Sequence, residues 1–311
     1  MILVESPGML TTVQDLGRPG YGPMGVSACG AADPIALRIG NTLVGNPRGA
    51  AALEMTMTGG RYRFESSTIA AVTGAPCPVR LNGAALEQWM AFEVTAGALL
   101  EIGGAQSDAR MYLAVAGGIQ VPLFLGSAST HLTTGLGGLE GRALRKGDRL
   151  VTGVAERAAL WRSLRLETLA RLAPRKTLRI TAAPQTNWFT DAQRAALVTN
   201  PYRVTQEANR IGLRLEGPAI PCAGASHMIT EGVALGAVQV PAGGQPIILF
   251  VEQQTTGGYP KIANVIAADL SSTGQLRPGD DVRFEWASFE TARALARDQE
   301  SLLAPEELFS V

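Results

Sequence analysis

Short runs rich in Val, Ile, Leu and aromatic residues recur along the whole chain, each closed by Gly, Pro, Asn or Asp. MILVES, YRFES, TIAAVTG, QWMAFEVT, ALLEIGG, MYLAVAGG and DRLVTGV fill the first half; TLRITAAP, GLRLEG, AVQVP, PIILFVE and DVRFEW fill the second. Runs of this length and make-up are strands, and the punctuation supplies their turns. Few helical patterns of the needed length lie between them, so a wound α/β sheet is disfavoured and barrels or sandwiches are favoured. The 36 glycines and 18 prolines fit the same picture. A chain of 311 residues exceeds the usual size of one domain, and 46% hydrophobic residues suffice for two cores.

The two halves carry a similar pattern. GGIQVPLFLGSAST leads on to ALRKGDRL, and GAVQVPAGGQPIILFV leads on to QLRPGDDVRF. Each reads (I/V)QVP, then a polar loop, then LR(K/P)GD before a strand, which predicts two related domains. The expected division is residues 1–165 and 175–311. Helices are predicted after Asp33-Pro34, where an N-cap precedes Pro at the first helical position, and after Thr190, where Gln193 completes a capping box. An amphipathic linker helix is expected over 156–172 and a C-terminal helix over 288–299.

Several function classes are disfavoured. The 27 basic and 27 acidic residues balance, so no footprint for nucleic acid or anionic membrane is visible. Three cysteines without a CxxC pair and two histidines, His131 and His227, imply neither a disulfide framework nor a metal centre. GxxxxGK(S/T), GxSxG and HExxH are absent. Neither a signal peptide nor a membrane span is read, and a soluble, cytoplasmic protein is expected.

Chemistry concentrates in QQTTGGYPK, residues 253–261. A turn needs its Gly257-Gly258 doublet, but not Gln254, Thr255, Thr256, Tyr259 and Lys261 as well. Adjacent glycines allow positive φ and an anion-binding nest. The amide and hydroxyls offer donors and acceptors, Tyr259 a flat face and phenol, and Lys261 a positive charge for an anion or a developing oxyanion. The set suits a small planar amide, lactam or ureido ligand; a glycine-rich hairpin with an exposed lysine accounts for it equally well. LTTVQDLGRPGYGPMGV holds Gln14, Asp15 and Arg18, read either as a locally paired turn or as a second polar wall with Arg18 as a carboxylate fork. Glu231, before a glycine and a strand, is a site acid or an exposed turn acid. Asn209 and Arg210 form a further polar pair before a strand, with an exposed arginine as the plain alternative.

SPGMLTTVQDLGRPGYGPMGV, GAADPIALRIGNTLVGN, YLAVAGGIQVP with LGSAST, NRIGLRLEGP and QTTGGYPKIANVIAADL occur in that order. Together they resemble the KipA family, also described as allophanate hydrolase subunit 2 or biotin-dependent carboxyltransferase-like. The resemblance implies a mostly β fold of two tandem cyclophilin-like β-barrel domains with a few short helices. It implies a subunit of an ATP-dependent 5-oxoprolinase, which opens the lactam of 5-oxoproline to glutamate. The subunit would act with KipI-like (PxpB) and LamB/YcsF-like (PxpA) partners. The alternatives it implies are a carboxyltransferase subunit moving a carboxyl group from carboxybiotin to urea or another small amide, and a regulatory binding protein. Under the leading implication, Lys261, Glu231 and Tyr259 are catalytic, with Glu231 as general base. Gln254, Thr255, Thr256, Gly257, Gly258, Arg18, Gln14, Asp15, Asn209 and Arg210 then bind substrate, and ATP is used by the complex. No metal site is expected, and biotin would arrive only on another protein. One departure stands out: Glu252-Gln253 occupies the place where the family often has Asp-Arg.

Overall fold

A computed structural model describes residues 1–154, 164–222 and 228–309. His227 and the first part of the expected linker helix lie outside the described residues; the rest of that helix forms as Leu166–Leu172. The fold is mostly β. It divides into two compact units that are discontinuous in sequence. The first comprises Met1–Arg18, Cys29–Leu172 and Leu302–Val311; the second comprises Pro19–Ala28 and Ala173–Ser301.

The first unit contains a seven-stranded and a five-stranded sheet. Strands such as Ile2–Ser6, Arg61–Phe64 and Leu99–Ile102 belong to the larger sheet, and Leu10–Gln14, Ala52–Thr56 and Arg110–Val115 to the smaller. One core joins them: Ile2, Val4, Tyr62, Phe64 and Leu100 meet Val13, Leu53, Met55, Met111 and Leu113. Side chains alternate across a strand. Tyr112 and Ala114 therefore face the other way, against Ile35, Leu37, Ile39 and Leu43 of helix Pro34–Leu43. Asp33 caps that helix, its carboxylate accepting from the N–H groups of Ile35 and Ala36 at 3.1 Å each. The chain end returns to the same cluster through Leu302, Leu303, Leu308 and Phe309.

In the second unit seven strands close into a barrel. In order around it they are Thr177–Ala182, Lys261–Val265, Ala237–Gln239, Ile247–Leu249, Gly212–Glu216, Tyr202–Val204 and Asp281–Trp286. A parallel pairing of the last strand with the first completes the ring, so the barrel has no open edge. Leu178, Ile180, Leu213, Val238, Ile248, Ile262 and Phe284 fill it. The predicted capping box is present: Thr190 and Gln193 bond reciprocally at the start of helix Asp191–Thr199. The expected C-terminal helix spans Phe289–Leu302. Among the described residues no helix is long and apolar enough to cross a membrane.

The internal repeat is visible as matching turns. In LRKGD, the Asp148 N–H donates to Arg145 O, and the Arg145 N–H donates to the Asp148 carboxylate at 2.7 Å. In LRPGD, Asp280 and Arg277 make the same two bonds. Gly147 and Gly279 have φ of 92° and 93°. Their N–H groups donate to Val4 O and Val204 O, and the N–H groups of those valines donate back to Asp148 O and Asp280 O. One five-residue device therefore ties a strand start to an early strand in both units.

Candidate functional site

Outside the barrel ladder, Glu231–Gly232 pairs with Thr256–Gly257 as a two-residue ribbon. The ribbon brings Glu231 to Lys261, the first residue of a barrel strand. Lys261 Nζ donates to Glu231 Oε1. The Lys261 side chain is 3% exposed, whereas that of Glu231 is 42% exposed. Gln185, buried in the loop after Thr177–Ala182, donates from Nε2 to the same Glu231 oxygen at 2.9 Å. Gln185 Oε1 accepts from the Lys261 backbone N–H at 3.3 Å. The Lys261 ammonium, then the Gln185 amide, hold the Glu231 carboxyl below its ordinary pKa. Its ionised form is favoured, which makes it a firm hydrogen-bond acceptor and a weaker base than a free glutamate.

The glycine doublet works differently from the expected nest. Neither Gly257 nor Gly258 has positive φ. Gly257 makes a close approach instead: a Cβ there would lie 2.6 Å from Gln239 Nε2, the tip of a flexible side chain. Gln239 is 1% exposed, accepts from Gln254 Nε2 at 3.4 Å, and has no hydrogen-bond partner for its own Nε2 among the described residues. Gln254 and Thr256 are exposed, Thr255 and Gly258 are half-buried, and Tyr259 is 48% exposed. Ser27, from the short N-terminal segment of this unit, donates to Val251 O at the entrance of the loop.

Asn209 and Arg210 are engaged structurally. Asn209 Oδ1 accepts from the N–H groups of Ile211 and Gly212, an Asx turn. Arg210, 5% exposed, forms a buried ion pair with Glu252. Glu252 thus keeps an acid against Arg210, while Gln253, in place of the family's arginine, carries no charge and donates to Val233 O at 3.2 Å.

Gln14, Asp15 and Arg18 lie in the first unit and build a knot around Ser127–Thr130. Asp15 and Arg18 do not pair with each other. The Asp15 carboxylate accepts from the Gly17 N–H (2.7 Å), Ser127 Oγ (2.6 Å), Ser129 Oγ (2.5 Å) and the Ala128 N–H (2.7 Å). Arg18 is 2% exposed, donates to Ser129 O and Phe124 O, and lies 5.4 Å over the Phe124 ring. Gln14 Nε2 donates to Thr12 Oγ1 and Thr130 O, each at 3.0 Å. A cavity of 330 Å³ beside this knot is walled by Asp15, Asn46, Gly117, Gly118 and Gly126, with Leu123 and Val154 at its margin.

Sequence reading missed Gln185 and Gln239. Gln185 stands in no motif. Gln239 belongs to the repeated QVP and reads there as scaffold. Its counterpart Gln120 is exposed and donates to Gly117 O, so the two repeats use the same residue differently.

Residues 24–286 match the model of the carboxyltransferase domain, subdomain A and B. The chain belongs to that family. It is 40% identical to the C subunit of 5-oxoprolinase from Escherichia coli over 96% of both chains. It is 37% identical to the corresponding 5-oxoprolinase protein of Haemophilus influenzae over 94% of this chain and 93% of that one. Among solved structures, the Kluyveromyces lactis urea carboxylase superposes with a TM-score of 0.90 at 29% identity, covering 100% of this chain and 30% of that protein. The carboxyltransferase domain is thus found both as a chain of this size and within a longer enzyme.

Proposed function

We propose that this chain is a subunit of an ATP-dependent 5-oxoprolinase, acting in the cytoplasm with KipI-like and LamB/YcsF-like partners to open the lactam of 5-oxoproline to glutamate. The likeness to the E. coli protein over nearly the full length of both chains carries the reading. The Glu231–Lys261–Gln185 cluster supports it chemically. A ring amide presents a planar N–H and C=O, and the exposed face of an ionised Glu231 accepts such an N–H. Gly257 and Thr256 pair with Glu231 and Gly232 there, and Gln254, Thr256 and Tyr259 of the same loop are exposed. Lys261 acts through Glu231, because its ammonium is buried behind the carboxylate.

ATP is a reactant of the complex. The role proposed for this chain within that complex is recognition of the N–C=O group. Glutamate release from 5-oxoproline and ATP, measured with the partner proteins and with or without this chain, tests the reading. The expected result is dependence on this chain and sharp loss in Lys261→Ala. Equal release without the chain overturns it.

A second reading rests on the urea carboxylase superposition. Urea offers the same N–H and C=O, and a carboxyltransferase would take its carboxyl group from carboxybiotin on another protein. Carboxylation of urea on adding biotinylated carrier protein, its biotin carboxylase, ATP and bicarbonate, with no turnover of 5-oxoproline, would favour this reading over the first.

A further inference from the structure

The buried amide of Gln185 touches both members of the Lys261–Glu231 pair through different atoms. Its Nε2 donates to Glu231 Oε1 at 2.9 Å and its Oε1 accepts from the Lys261 backbone N–H at 3.3 Å. Gln185 itself is 6% exposed. An ammonium alone does not fix the orientation of a carboxylate, because Lys is a point charge on a flexible stem. An amide added from a second direction does, since the two donors converge on one oxygen. Oε1 is then occupied twice, while among the described residues Oε2 accepts no hydrogen bond. The ribbon that carries Glu231 has only two residues per strand. A pairing this short does not hold a side chain rigidly by itself.

We propose that Gln185 is the positioning residue of this site, locking Glu231 by Oε1 so that Oε2 points outward as the acceptor for a ligand N–H. The nature of that ligand rests on the function proposed above; the lock itself does not. A neutral amide meets both demands. A carboxylate in its place would repel Glu231, and an aliphatic chain would leave a donor position empty. A protonated carboxylic acid, however, has one O–H donor and one C=O acceptor, as the amide has a donor and an acceptor. Gln185→Glu should therefore keep the lock at low pH and lose it as the introduced carboxyl ionises.

The test is carbon-13 NMR titration of the glutamate carboxyls in the full-length chain, with the Glu231 signal assigned by its absence in Glu231→Gln. The Glu231 midpoint is expected to rise in Gln185→Ala and to stay near that of wild type in Gln185→Glu, where the introduced carboxyl is still protonated while Glu231 ionises and titrates as a separate step at higher pH. Amide hydrogen exchange at Lys261 should quicken in Gln185→Ala, and in Gln185→Glu only above the midpoint of the introduced group. If Gln185→Ala does not fold, Gln185→Glu followed across pH decides alone. A Glu231 midpoint unmoved in folded Gln185→Ala, or Lys261 exchange in folded Gln185→Glu that matches wild type at every pH, would overturn the proposal. Activity is a separate readout: a Glu231 midpoint that moves as expected, in a protein that never supports turnover of 5-oxoproline, would sustain the lock and refute the oxoprolinase reading.

Discussion

Lys261 and Glu231 form an ion pair that is dry at one end and wet at the other. The lysine side chain is 3% exposed and the glutamate 42%. Removing either partner therefore has unequal effects. Glu231→Gln leaves a buried ammonium without its countercharge, and a loss of about 3 kcal/mol is expected. Lys261→Met leaves a half-solvated carboxylate, and less than about 1 kcal/mol should be lost. Urea denaturation of both variants measures the difference; equal losses would refute the asymmetry.

The same pair predicts a pH dependence of definite sign. Its carboxyl has a lowered pKa in the folded protein. The extra stability is thus fully present above the unfolded glutamate pKa and is lost as pH falls through the folded value. The stability gap between wild type and Lys261→Met should be constant at neutral pH and close below the ordinary carboxylate range. A gap that widens on acidification would contradict the assignment.

Gly257 lies over the Gln239 amide with no room for a methyl group. The obstructing atom is the far end of a flexible side chain, so Gly257→Ala should displace Gln239 at a cost of about 1–2 kcal/mol. Adding Gln239→Ala should recover part of that cost. A thermal shift series on the two single variants and the double variant checks the coupling; strict additivity would show that the two residues do not meet.

Asp15 accepts four hydrogen bonds while 9% exposed. Asp15→Ala orphans two backbone N–H groups and two hydroxyls, and a loss of about 3 kcal/mol or more is expected. Asp15→Asn should also destabilise, since its NH2 group must face a donor. Chemical denaturation curves that match wild type for both variants would show that the knot is not structural.

Gly147 and Gly279 have open space where a Cβ would sit, so substitution is penalised only by their positive φ. Gly147→Ala and Gly279→Ala should each cost about 1 kcal/mol. Similar values from the two are expected because the turns match bond for bond. Markedly different losses in denaturant titrations would mean that the two turns are not equivalent.

Much of this protein was written into local sequence. The strand runs, the Asp33 cap, the Thr190 capping box and the LR(K/P)GD turns depend on neighbours within a few residues, so period, punctuation and turn chemistry determined them. The location of a dense polar loop at residues 253–261 was legible for the same reason. What its residues touch was not. Lys261 reads either as a cation for a ligand or as an exposed hairpin lysine, and the barrel buries it against Glu231. Arg210 and Arg18 read as forks for a ligand, yet Glu252 and the carbonyls of Ser129 and Phe124 engage them. Gln185 lies 46 residues from Glu231 and 76 from Lys261. Such contacts are made by barrel closure and ribbon pairing, which no local pattern encodes. Burial then decided which charges pair inside the fold, as with Arg210–Glu252 and Lys261–Glu231.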